Sequence, residues 1–177
     1  SLPWGVDKID AEQVWSINRG TGIKLAVLDT GIDCTHEDLI TDCNYGANFV
    51  NAPFQGDDHG HGTHVAGIAA ARDNAVGYIG VAPEASLYAV KVLDSTGYGS
   101  WGQVAAGIDW ARLNGMQIIN MSLGGSDFDQ TGADAVQLAA GASGPKIATL
   151  SAIQSSIGQS VALKSKVTTF VQASSAN

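Results

Sequence analysis

Two residues in this chain have the types and the order needed to move a proton. The run Ala26-Val27-Leu28-Asp29-Thr30-Gly31 ends an apolar stretch on a carboxylate. Thirty-two residues after Asp29, His61 opens the segment His61-Gly62-Thr63-His64-Val65-Ala66-Gly67. A carboxylate that fixes the tautomer of an imidazole leaves the far ring nitrogen able to take a proton from a hydroxyl. That pair is two thirds of a Ser-His-Asp hydrolytic triad. Asp29 is therefore expected to orient, and His61 to act as the general base. Gly60 and Gly62 flank the imidazole and leave room for backbone or substrate. The plainer alternatives are a strand-end carboxylate capping a turn and a histidine at a helix start. His64, one turn further on, reads as a structural histidine with its hydrogen bonds satisfied. The spacing of His59, His61 and His64 also invites a zinc site, but no His-Glu-x-x-His run supplies the glutamate such sites use as a base.

A strand and a helix must hold these groups. Residues 23–29 form a continuous apolar run that suits a parallel strand buried on both faces. Residues 44–58, with Gly, Asn and Pro, read as a loop. An Ala-rich helix is expected from about 61 to 71, with Val65 and Ile68 on one face. Residues 86–93 read as a second buried strand and 94–100 as a Gly/Ser loop. Residues 101–114 read as an amphipathic helix, with Val104, Ile108 and Ala111 at helical spacing and Gly115 as its stop. Residues 117–123 read as a third strand. Near the start, Asp10-Ala-Glu-Gln13 has the pattern of a capping box opening a short helix. Beyond Gly125, a helix over 133–141 and strands over 146–153 and 166–172 are expected. The alternation predicts an α/β fold with a doubly wound, mostly parallel sheet and helices on both faces. Sites in such sheets lie at the carboxyl ends of strands, where Asp29 and Ser122-Leu123-Gly124 fall.

Three blocks in this order resemble the subtilisin-like serine proteases, the subtilases. They are Lys24-Leu-Ala-Val-Leu-Asp-Thr-Gly-Ile-Asp33 with His36-Glu-Asp-Leu39, then His61 to Gly67, then Gly80-Val-Ala-Pro83 through Ala89-Val-Lys-Val-Leu93 to Ile119-Asn-Met-Ser-Leu-Gly-Gly125. The likeness covers about residues 2–125, and the order Asp, His, Ser is that of the subtilases themselves. The resemblance implies a single catalytic domain over 1–177 that hydrolyses peptide bonds as a serine endopeptidase. It implies extended polypeptide substrates, paired by strand addition with Gly97-Tyr98-Gly99 and Ser122-Leu123-Gly124, with Trp101 walling an apolar pocket. It also implies a structural Ca²⁺ held by the Asp38 carboxylate, the Asn74 side-chain oxygen and the backbone carbonyls of Arg72, Val76 and Tyr78, all hard oxygen ligands. The glutamine that the family places near the N-terminus is absent, which would weaken that site. No organic cofactor is implied. A propeptide or protein inhibitor is implied as a partner, a monomeric state is expected, and a secreted location is read from the mature-looking start and the cysteine pair.

The chain departs from the family in its last third. No Gly-Thr-Ser-Met-Ala segment presents a nucleophile, and Ser151, Ser155, Ser156, Ser174 and Ser175 lack that context. The Ala-Gly-Asn segment that supplies an oxyanion donor is absent too, with Gln154 near its expected place. Losing one such donor costs about 10²–10³ in rate. Losing the nucleophile costs about 10⁶ in subtilisin's own mutant series. The 177 residues alone are therefore expected to be inactive or nearly so, and truncated or divergent after about 125. The alternative is a peptide-binding pseudoprotease or an inactive fragment. Asp29-Thr-Gly31 is also an aspartic-protease signature, but that class needs a second copy and an all-β fold.

Composition sets the outer limits. A chain of 177 residues, 45% hydrophobic and with 22 glycines, suits one globular domain with a sizeable core. A net charge of −8 without a basic stripe argues against nucleic acid and is read as solubility. There is no run of 18 apolar residues for a membrane span and no signal-peptide pattern, and Ser1-Leu-Pro-Trp reads as the start of a mature chain. Cys34 and Cys43 bracket the loop after Asp29. A disulfide there would staple that loop and point to an oxidising compartment, with two reduced, partly buried thiols as the alternative.

Overall fold

The computed structural model describes residues 2–50, 53, 56–125 and 129–141, with 146–149 as backbone only. The expected strand over 166–172, and residues 150–153 of the one before it, lie outside the described residues. Five parallel strands form one sheet in the order β2-β3-β1-β4-β5. They are β1 (Lys24–Asp29), β2 (Cys43–Asn48), β3 (Ser86–Lys91), β4 (Ile118–Met121) and β5 (Lys146–Thr149). The helices are α1 (Trp4–Lys8), α2 (His61–Ala70), α3 (Trp101–Leu113) and α4 (Gln130–Ala139).

The continuous apolar run of β1 is explained by its place at the centre of the sheet, with both faces covered. Leu25 and Val27 pack on one face with Ala66, Ala69 and Ala70 of α2. Ala26 and Leu28 pack on the other with Val104, Ile108 and Ala111 of α3 and Val136 of α4. This is the period-2 alternation of a strand, and each large side chain so buried contributes roughly 1.5–3 kcal/mol. Asp29 continues the alternation onto the α2 side, which is where His61 begins its helix. The doubly wound fold expected from the sequence is thus formed, with helices on both faces.

The direction of winding reverses about β1, while all strands stay parallel. From β1 the chain builds β2 and β3 on one side, then crosses over to build β4 and β5 on the other. The carboxyl end of β1 is therefore the switch point, where the loops leaving β3 and β4 diverge and open a crevice.

Three expectations need correction. Residues 44–58 are not all loop, because Cys43–Asn48 form an edge strand paired with β3 from Cys43↔Leu87 to Asn48↔Lys91. Asn and Gly give that segment little strand propensity, but the free edge of β3 imposes pairing on it. A register shift between Tyr45 and Ala47 falls at Gly46, where a β-carbon would sit 2.7 Å from the Trp110 ring. On α2, Ile68 is half exposed, and the stripe facing the sheet is alanine. Small side chains let this helix lie close to β1. Asp10 caps no helix by its side chain. It is left-handed, at φ 53°, and follows α1, which the sequence reading missed, ahead of a 3-10 turn over Ala11–Val14. The helix after Gly125 begins earlier than expected, with Asp129 accepting a hydrogen bond from the Gly132 N–H as its cap.

Candidate active site

The buried carboxylate of Asp29 meets the imidazole of His61 through Oδ1 and Nδ1, 2.7 Å apart. The Asp29 side chain is fully buried and that of His61 is 41% exposed, so the ring has one nitrogen engaged inward and an edge in solvent. Asp29 Oδ1 also accepts the Thr30 N–H at 2.7 Å. Burial raises the Asp29 pKa, and the bonds from His61 and Thr30 only partly offset that. The pair exists because α2 starts hard against the end of β1. Gly62 makes this possible: a β-carbon there would run into the Gly31 carbonyl oxygen and lie 3.1 Å from Asp29 Cβ.

Asp57, a residue the sequence reading passed over, organises the start of α2. Its carboxylate accepts the N–H groups of His59, Gly60 and Thr63 and the hydroxyls of Thr30 and Thr63, at 2.6–3.0 Å. Burial alone would raise its pKa, but these donors, led by the Thr63 hydroxyl, lower it to about 2. The Thr30 hydroxyl in turn accepts the Gly62 N–H at 3.0 Å. A legible signal existed: an aspartate two and three residues ahead of His59 and Gly60 has the spacing of an Asx-type turn.

Residues expected to bind substrate come together around this pair. Thr30, His59 and His61 share a cleft of about 550 Å³ with Gly97, Tyr98, Gly99 and Trp101 on one side and Ser122, Leu123 and Gly124 on the other. Ser100 closes a capping box with Gln103 and so sets where α3 and Trp101 begin. The cleft sits at the switch point of the sheet. His59 lies edge-on to His61, with ring centroids 6.3 Å apart. His64 is exposed on α2. Among the described residues no serine hydroxyl hydrogen-bonds His61. Ser122 Oγ instead accepts from Asn120.

With this geometry in place, comparison with known proteins is decisive. The subtilase family model matches residues 20–174. The chain belongs to the subtilase family. It is similar to Subtilisin E of Bacillus subtilis (strain 168), at 51% identity over 129 residues, 71% of this chain and 33% of that protein. It is similar to Subtilisin Savinase of Lederbergia lenta, at 50% over 126 residues, 70% of this chain and 46% of that protein. Subtilisin DY of Bacillus licheniformis is 46% identical over 127 residues, 71% of this chain and 46% of its own length. The chain thus matches a third to just under half of these subtilisins.

Two further features lie in the loop that follows β1. Cys34 and Cys43 form a disulfide that closes the loop between β1 and β2, with Cα atoms 5.2 Å apart. Within that loop, Asp38 is buried, Oδ2 accepts the Tyr78 N–H at 3.2 Å, and Oδ1 has no partner among the described residues. Gly77 is pressed against this carboxylate, and Arg72 donates its N–H to the Asp38 carbonyl. Asn74 Oδ1 accepts the Val76 N–H and keeps a second lone pair.

Proposed function

We propose that this chain forms, over residues 1–177, the catalytic domain of a serine endopeptidase in which Asp29 orients His61 and His61 is the general base. The observation that carries this reading is the 2.7 Å contact between a fully buried carboxylate and a part-exposed imidazole at the floor of a cleft. Asp29 holds the proton on Nδ1, so Nε2 is the basic nitrogen. When Nε2 takes the serine proton, the imidazolium that results faces a buried anion, whose attraction is little weakened by water. His61 then returns the proton to the leaving amine. An extended polypeptide would lie between Gly97-Tyr98-Gly99 and Ser122-Leu123-Gly124 and pair with both edges, with a side chain against Trp101. The reading requires a serine presented to Nε2 by residues other than the described ones. On this reading the protein is secreted and monomeric. The disulfide supports an oxidising location, and no described helix is long and apolar enough to cross a membrane. A propeptide or protein inhibitor is a further partner on this reading.

Calcium fits the loop around Asp38. A buried carboxylate oxygen without a partner is the kind of group a cation satisfies. The Asp38 carboxylate, the Asn74 side-chain oxygen and the carbonyls of Arg72, Val76 and Tyr78 would hold it. Its contribution is charge neutralisation that rigidifies the loop, away from the proton transfer.

The absence of a Gly-Thr-Ser-Met-Ala segment favours one alternative, a pseudoprotease that binds extended peptides without cutting them. A fluorophosphonate probe combined with intact-mass measurement separates the two. Labelling of a serine, abolished in His61→Ala, supports the endopeptidase. A chain of unaltered mass that binds peptides and never labels supports the pseudoprotease. Casein cleavage undiminished in His61→Ala would show that His61 is not the base.

A further inference from the structure

Lys91 is the largest fully buried side chain among the described residues, and nothing in apolar packing asks for an ammonium there. It ends β3 in register with Asp29 and lies between Val90 and Val92, both fully buried. Taking an ammonium out of water is unfavourable unless its donors are satisfied. Lys91 Nζ donates to the Thr30 carbonyl oxygen and, at 2.6 Å, to Asp58 Oδ1. Those two acceptors are informative. Thr30 adjoins Asp29, and Asp58 lies three residues ahead of His61 on the segment that leads into α2. The ammonium therefore bridges the two stretches of chain that carry the two members of the dyad.

We propose that Lys91, with Asp58, is a positioning residue for the Asp29–His61 pair, holding the end of β1 against residues 56–60 at the separation where Oδ1 and Nδ1 meet. The inference rests on the dyad reading above. Lys91 touches neither substrate nor the transferred proton. Asp57 makes a parallel link through the Thr30 hydroxyl, and it caps α2 as well. Lys91 and Asp58 add an ionic tie across the same gap.

Lys91→Met tests this, because methionine keeps the length of the apolar stem and removes the charge. Asp58 is 30% exposed and stays hydrated without its partner. In the full chain, the low-field proton resonance of His61 Nδ1–H reports the hydrogen bond to Asp29, and His61→Gln assigns it. In Lys91→Met the sheet amides are expected to keep their dispersion while this resonance broadens or vanishes. The Gly62 amide is expected to exchange roughly tenfold faster through local opening. Asp58→Asn should act in the same direction and decides the matter if Lys91→Met does not fold. A resonance present in the parent and unchanged in a folded variant overturns the positioning role and leaves the dyad intact. A parent chain with no resonance removed by His61→Gln overturns both.

Discussion

Asp29 and His61 meet through one carboxylate oxygen only. Oδ1 takes both the His61 ring nitrogen and the Thr30 N–H, while Oδ2 is buried without a hydrogen-bond partner among the described residues. With hydrogen bonds to one oxygen only, the charge is incompletely compensated, so burial prevails and the pKa is raised. A site of this kind trades stability for reactivity.

That trade has a pH signature. As pH rises from 3.8, the unfolded chain releases the Asp29 proton first and the folded chain holds it longer. Asp29 therefore contributes most to stability at low pH and progressively less as pH rises through its raised folded value. Asp29→Asn has no such proton. Urea midpoints between pH 3 and 7 should show the variant gaining on the parent across that window. A gap that stays constant would disprove the assignment. In a form carrying the nucleophile, the same change should cut turnover by about 10⁴, the size an Asp→Asn change has in a Ser-His-Asp triad.

Asp57 has the opposite sign. Its pKa is lowered from 3.8 to about 2, so the stability it contributes is complete above 3.8 and is lost as pH falls through that interval. Asp57→Ala leaves the N–H groups of Gly60 and Thr63 without their cap and should cost about 1 kcal/mol at pH 7, as cap removals do. The difference from the parent should shrink near pH 2. Chemical denaturation at the two pH values measures it, and a deficit as large at pH 2 as at pH 7 would refute the capping role.

Gly62 and Gly67 lie on the same helix and make a controlled pair. A β-carbon at Gly62 meets the Gly31 carbonyl and Asp29, whereas one at Gly67 meets nothing within 4 Å. Gly62→Ala should destabilise by about 1–3 kcal/mol through overpacking and separate His61 from Asp29. Gly67→Ala should stabilise by up to about 1 kcal/mol through helix propensity. Equal effects of the two substitutions would mean that α2 does not approach β1 as closely as described.

Calcium should act on stability through Asp38. At a free Ca²⁺ concentration near 100 times its dissociation constant, the folded state gains about 2.7 kcal/mol. Thermal unfolding with Ca²⁺ and with a chelator should differ in the parent and coincide in Asp38→Asn. A parent with no difference between the two conditions would remove the cation from this account.

Much of this was legible in the sequence because local periodicity encodes which face is buried. The apolar run of residues 23–29 announced a central strand with Asp29 at its end, and Val104, Ile108 and Ala111 announced the buried stripe of α3. Residue order placed His61 at a helix start, and the three motif blocks led to the subtilase family. Tertiary structure alone decided the rest. Cys43–Asn48 became a strand because β3 offered an unpaired edge, against their own propensity. Ile68 was left outside because alanines bring α2 nearer the sheet. Folding brought Asp57 and Lys91 to Thr30, 27 and 61 residues away in the chain, and Asp58 to Lys91, 33 residues away. Polar pairing over such separations leaves no periodic trace. A lysine inside the apolar run Ala89-Val-Lys-Val-Leu93 signals that a buried partner must exist, and only the packed structure names it.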